Sequence, residues 1–163
     1  MNKFNGAAIL VLLTLGLTTG LSAKYDIKEI ERSVAYHSGR LKSSNTAVRL
    51  SAVRNLGKIP HKLAVYPLIK ALNDKNVMIR IRVIRALANL NYIQAVKPII
   101  RRLKVEKEDY VIREALIALG KLKDERARTV LKRYLTHNNL GIRLQAKKSL
   151  AMLDQGDSIF KRR

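Results

Sequence analysis

A unit of 31 to 32 residues repeats along most of this chain. Val48-Arg49-x-x-Ala52-x-x-x-Leu56-Gly57 aligns with Ile79-Arg80-x-x-Val83-x-x-x-Leu87-Ala88, and then with Val111-Ile112-x-x-Ala115-x-x-x-Leu119-Gly120 and Ile142-Arg143-x-x-Ala146-x-x-x-Leu150-Ala151. The starts lie 31, 32 and 31 residues apart. A fixed period of this length constrains the fold strongly. Each unit is too small to bury its own apolar face, so the units must stack and cover one another. Such a stack acts through a shaped surface.

Each unit carries two helical stripes. Val48, Ala52 and Leu56 recur at four-residue steps, the spacing of one helix face. Ile59-Pro60-His61 interrupts the pattern, and Ala64, Leu68 and Leu72 begin a second stripe. Ala95, Ile99 and Leu103, then Ala127, Leu131 and Leu135, repeat it. The spacing predicts repeats over 47–73, 77–104 and 110–136, a lone second helix over 26–42 and a lone first helix over 140–153. Asp26 with Glu29 and Asn91 with Gln94 have capping-box spacing, while Asp124 and Asn139 suit helix N-caps. Small residues at Gly57, Ala88, Gly120 and Ala151 permit close helix approach. The tail 154–163 is basic at its end and is expected to fray, with Ile159 and Phe160 folding back over the last repeat.

Residues 1–23 stand outside the repeat. Lys3 is followed by an apolar run of 11 residues from Ala7 to Leu17, and Gly20-Leu21-Ser22-Ala23 supplies small residues before Lys24. This is the layout of a signal peptide cleaved after Ala23. It predicts export to a bacterial periplasm or beyond, with no stable membrane span afterwards. An uncleaved anchor is the alternative, since Gly6 to Ala23 is uncharged. There is no cysteine in the sequence, which excludes disulfides, thiol chemistry and a lipid-anchoring cysteine.

The motif Val-Arg-x-x-Ala-x-x-x-Leu-Gly, followed by Ala64-Val65-Tyr66-Pro67-Leu68 and Ala95-Val96-Lys97-Pro98-Ile99, is similar to the HEAT-like repeat of phycobilin lyases and many bacterial proteins. The resemblance covers about residues 26–153. It implies an all-α fold, a right-handed α-solenoid of helix-turn-helix repeats, with second helices on the concave side and first helices on the convex side. It also implies an internal ladder in which Arg49, Arg80 and Arg143 pair with a carboxylate such as Asp74 or with nearby carbonyls. The third unit departs from the motif, with Ile112 in place of the arginine and Val130 in place of the proline.

Catalysis has little support in these residues. His37, His61 and His137 stand apart, without the His-Glu pairs of metal-binding HEAT-like hydroxylases, and no phosphate-cradling glycine loop occurs. Glu106, Glu108 and Asp109 cluster before a helix and read as caps. No cofactor or metal and no enzymatic activity is expected.

Charge points to binding. Lys and Arg number 33 against 12 Asp and Glu, a net charge of +21 that attracts polyanions. On the second helices, sixteen positions point away from the apolar stripe at 100° per residue. Eight are basic and none is acidic, where chain-wide rates of 33 and 12 in 163 predict about three and one. Lys70, Arg101 and Arg133 share one repeat position, with Lys97, Lys104 and Arg126 beside them. These six are the candidate contacts for an acidic protein or anionic envelope polymer. Nucleic acid is a second candidate, weakened by the export signal and by Tyr66 being the face's one stacking ring. An enzyme-accessory role, such as a lyase subunit, is a third. On the first helices, Leu50, Ile81 and Leu144 form an apolar column predicted to face solvent, and Arg54, Arg85 and Lys148 form a basic one.

Overall fold

The computed structural model describes the backbone of residues 22–160 and side chains of residues 27–155. The expected signal peptide lies outside the described residues, apart from its last two positions. Eight α-helices are described, with no strand among them. They are α1 (Ser22–Arg40), α2 (Thr46–Leu56), α3 (Lys62–Ala71), α4 (Val77–Leu90), α5 (Val96–Leu103), α6 (Asp109–Leu122), α7 (Arg128–Arg133) and α8 (Leu140–Phe160). Short 3-10 turns precede α5 and α7, and another follows α7.

The chain is an all-α solenoid. Helices α2, α4, α6 and α8 are the first helices of successive units, and α1, α3, α5 and α7 are the second helices. The predicted stripes form the core. Ala52, Leu56, Val83, Leu87, Ala115, Leu119 and Ala146 are buried from the first helices, and Ala64, Leu68, Leu72, Ala95, Ile99, Leu103, Ala127 and Leu131 from the second. Burying each large aliphatic chain contributes about 1.5–3 kcal/mol, and stacking supplies the cover that one unit lacks.

Local polar chemistry sets the helix starts. Asn45, Asn76 and Asn139 cap α2, α4 and α8 through their side-chain oxygens, and Asp124 caps the turn before α7. His61 performs the same task for α3 with Nδ1. Two expected caps are corrected. Helix α1 begins at Ser22 and runs through Asp26 without a break. Asn91 ends α4 in the left-handed region at φ 56° and starts no helix; Lys123 ends α6 in the same way at φ 49°.

The ends of the second helices bring a further correction. Leu135 does not continue the stripe of Leu72 and Leu103: it is 39% exposed, against 2% for each of those. The chain tightens into a 3-10 turn at Tyr134–Thr136. Half-buried Tyr134 packs against the core and donates its hydroxyl to the Leu103 carbonyl at 3.0 Å. Helix α8 continues to Phe160, so its backbone makes no fold-back at Ile159 and Phe160.

The two helix layers are spaced differently. A Cβ on Gly57 would lie 2.9 Å from the Ala86 Cβ, and one on Gly120 would lie 2.9 Å from the Ser149 Cα. Both contacts join successive first helices. Between the second helices α1 and α3, an open cleft of about 670 Å³ remains. A stack with one closer-packed layer bends toward that layer. The first helices therefore line the inner side and the second helices the outer side, the reverse of the side assignment implied by the resemblance.

Candidate functional site

The arginines that recur at one position of the units hold the stack together. Arg49 donates Nε to Asp74 at 2.8 Å and Nη2 to the other carboxylate oxygen at 3.1 Å. Its Nη1 donates to the carbonyls of Ser43 and Ser44. Arg80 repeats the pattern one unit on, with Glu106 at 2.9 and 3.0 Å and the carbonyls of Asp74 and Lys75. Arg143 keeps the two carbonyl bonds, to His137 and Asn138. The carbonyl acceptors follow the ends of second helices, or of the 3-10 turn after α7, so the guanidinium spans a first helix, the preceding turn and the next unit.

Glu106 is therefore a ladder acceptor. Burial alone would raise its carboxyl, but hydrogen bonds from Arg80, Arg102 and the N–H groups of Glu108 and Lys107 outweigh that and hold it at about 2. Asp74 is held below the ordinary carboxylate range: burial opposes the shift, and Arg49 with the Asn76 N–H overcomes it. Glu108 precedes α6 without a side-chain cap bond, and Asp109 accepts from Asn139 across to the next unit. Internal repeat alignment could have identified Glu106, because Asp74, Glu106 and His137 occupy equivalent positions. The unit with Ile112 in place of arginine is followed by His137 in place of an acid. Ile112 is 4% exposed. The histidine keeps the local part of the role, accepting the Asn139 N–H at Nδ1 as Asp74 accepts that of Asn76.

Of the sixteen second-helix positions, all are exposed except half-buried Leu63. Lys70, Arg101 and Arg133 sit on α3, α5 and α7, and none makes an ion pair among the described residues. Lys97 and Lys104 are exposed beside them. Packed helix layers are about 8–10 Å apart, so the column presents one free cation per layer. Arg126 is different. Its guanidinium grips buried Asp124 through Nε at 2.8 and 3.0 Å and Nη2 at 2.5 Å, so its charge is already paired. That bond in turn holds the Asp124 carboxyl low. Arg126 is removed from the free basic set.

The cleft between α1 and α3 gives this face a concavity. Lys42 and Lys70 border it, with Tyr66, Gly39, Ala35 and Asn73. Nothing lies within 4 Å of where a Gly39 side chain would begin, so the glycine leaves the cleft open. Two ammonium groups over an apolar wall suit a carboxylate or phosphate attached to a less polar body.

The histidines do not converge. His61 and His137 cap turns, and His137 stacks on Tyr134. His37 is half-buried on α1, and its buried Nδ1 has no partner among the described residues. Burial, then Arg40, pushes its pKa down. Among the described residues, no three His, Cys, Asp or Glu groups gather as a metal site. No described helix is long and apolar enough to cross a membrane.

Comparison with known proteins agrees with this geometry. The family model for HEAT repeats matches residues 38–119, and that for the PBS lyase HEAT-like repeat matches residues 111–137. No curated protein sequence matches the chain. Among solved structures, human deoxyhypusine hydroxylase in complex with glycerol is similar at 18% identity and TM-score 0.73, over 82% of this chain and 47% of that one. The complex of CpcE and CpcF of phycocyanin lyase from Nostoc sp. PCC7120 is similar at 21% identity and TM-score 0.53, over 75% of this chain and 65% of that one. An engineered protein is similar at 22% identity and TM-score 0.52, over 76% of this chain and 63% of that one. The chain thus spans about half the length of the hydroxylase and under two thirds of the lyase chain. At these identities the likeness concerns the fold. With its HEAT repeats matched over half its length, the chain belongs to the HEAT repeat family.

Proposed function

We propose that this protein is a non-enzymatic, exported binding scaffold that holds an acidic protein or an anionic envelope polymer on its second-helix face. The observation that carries this reading is the column Lys70, Arg101 and Arg133: three exposed cations, one per layer, without ion pairs among the described residues. Regularly spaced cations on a rigid surface release counterions together when a polyanion binds, so they act as one site. The cleft beside Lys42 and Lys70 adds an anchoring point at one end.

The test uses polyglutamate and polyphosphate as probes. Changing Lys70, Arg101 and Arg133 together to Glu should weaken binding of both strongly and leave helicity intact, because the three side chains point away from the core. A control triple reversal at Lys58, Lys75 and Lys107, exposed positions in turns or connecting loops, removes the same charge. It should weaken binding far less. Affinity of the unaltered protein should fall steeply with salt. Equal losses from both triple variants would reduce the interaction to net charge and end the surface reading. Export is tested separately by the intact mass of natively expressed protein: the chain should begin at Lys24, and a cytoplasmic product retaining Met1 would overturn it.

A second reading has its own support. The match to the PBS lyase HEAT-like repeat and the similarity to the CpcE and CpcF complex favour an accessory subunit of a lyase-type enzyme. Loss of a specific chemical step on deletion, with normal polyanion binding by the purified protein, would select it.

A further inference from the structure

The inner face carries a second pattern, independent of the basic column outside. Toward the N-terminal ends of the first helices, large apolar side chains are exposed: Met78 at 48%, Tyr110 at 75%, Leu140 at 58% and Leu144 at 52%. Leu50 and Ile81 lie in the same band, half-buried against the core. Farther along α2, α4 and α8 the exposed residues turn basic, with Arg54, Arg82, Arg85 and Lys148. Little acid opposes them. Glu114 is only 12% exposed and bonded to Arg85, whose own side chain stays 52% exposed. Asp109 is bonded to Asn139. In α2, α4 and α8 an apolar position thus precedes a basic one, whereas α6 inverts the order, with Arg113 level with Ile81 and Leu144 and half-buried Ile117 level with Arg85 and Lys148.

We propose that this inner face docks an acidic amphipathic helix of a partner protein, laid across the first helices. Charge complementarity sets the acidic half of the ligand, and the exposed apolar band sets the other half. Spacing selects a helix. Adjacent first helices are about 8–10 Å apart. Seven residues of α-helix advance about 10 Å and return to the same side. An extended strand covers that distance in about three residues, which points successive contacts to opposite faces. A helix with leucines and glutamates on adjoining stripes therefore meets one apolar and one basic contact at α2, α4 and α8, and passes Tyr110 and Arg113 on α6.

The probe is a fluorescein-labelled synthetic peptide about three heptads long, with leucine and glutamate stripes at seven-residue spacing. Its binding is read by fluorescence anisotropy. Met78→Ser with Leu144→Ser should weaken binding at least about tenfold, and Arg54→Ala with Lys148→Ala should do the same. All four side chains are exposed, so unchanged helicity and thermal melting accompany the loss. The triple Glu variant of Lys70, Arg101 and Arg133 should keep peptide binding within about threefold. No binding by the unaltered protein would overturn the proposal. So would equal binding of a peptide with alanine for every leucine, or insensitivity to the inner-face variants. Loss only in the triple variant would place the peptide on the outer face and also overturn it. These outcomes are separable from failure of the outer-face reading, which uses polyglutamate and polyphosphate and the outer variants.

Discussion

The third unit contains a natural replacement for the ladder pair, and transplanting it tests how the units are joined. Arg80 and Glu106 have side-chain exposures of 9% and 2%, and Arg102 bonds the same carboxylate at 17%. Arg80→Ile mimics Ile112 and removes the bidentate pair, leaving Glu106 with Arg102 and two backbone N–H groups. Glu106→His mimics His137 and strands the Arg80 guanidinium on two carbonyls. Losing one member of a buried pair costs about 3–5 kcal/mol. The groups that remain bonded lower that here to about 2–3 kcal/mol for Arg80→Ile and about 3 kcal/mol for Glu106→His. The double variant leaves neither charge stranded and buries an isoleucine, so about 2 kcal/mol is expected. The coupling is then about 3 kcal/mol. Urea melts of all four proteins at about pH 8, where histidine is neutral, measure it. The unaltered protein adds a pH signature. The Glu106 carboxyl lies at about 2 in the fold against an ordinary 4.5. Its contribution is fully present above pH 4.5 and is lost as pH falls toward 2. Glu106→His should flatten that part of the acid limb. Coupling under about 0.5 kcal/mol, or an acid limb of unchanged slope, would refute the ladder as the joint between units.

Two further perturbations probe the core. Leu103→Ala should cost about 2–5 kcal/mol in denaturant melts through lost burial and a cavity, whereas Leu135→Ala, at 39% exposure, should cost under about 1 kcal/mol. Similar losses at both positions would contradict the outward turn of Leu135. Gly120→Ala gains up to about 1 kcal/mol in helix propensity, yet its Cβ would meet backbone of Ser149 at 2.9 Å. The clash should win, giving a net loss of about 1–2 kcal/mol by thermal melting.

What could be read from the sequence was whatever repeats. Ala52, Val83, Ala115 and Ala146 recur at one position in the units and are buried at one place in the stack. The same holds for the arginine position, where the pattern carried the identity of Arg49 and Arg80 and the resemblance to the HEAT-like repeat implied a partner between units. Features that belong to one unit were harder to read. Leu135 looked like Leu103 in a linear stripe, but the 3-10 turn gave the inward place to Tyr134. Glu106 looked like a helix cap because acids cluster there, and only a repeat-by-repeat comparison with Asp74 separates the two roles.

The site shows the same division more sharply. A helical wheel correctly sets Lys70, Arg101 and Arg133 outside, since 100° per residue follows from backbone geometry alone. It cannot weigh Arg126, whose partner Asp124 sits two residues away in a 3-10 turn where α-helical angles do not apply. Nor can it assign the inside of the bend. That depends on how near neighbouring helices come, and Gly57 against Ala86 and Gly120 against Ser149 decide it through contacts some 29 residues apart in sequence. A wheel treats the apolar and basic positions of the first helices as separate columns. Stacking turns them into adjoining bands on one inner surface, with Met78 and Leu144 on one side and Arg54 and Lys148 on the other. On the two proposals together, a single short solenoid holds one partner on a face with a cation column and another where apolar and basic side chains adjoin.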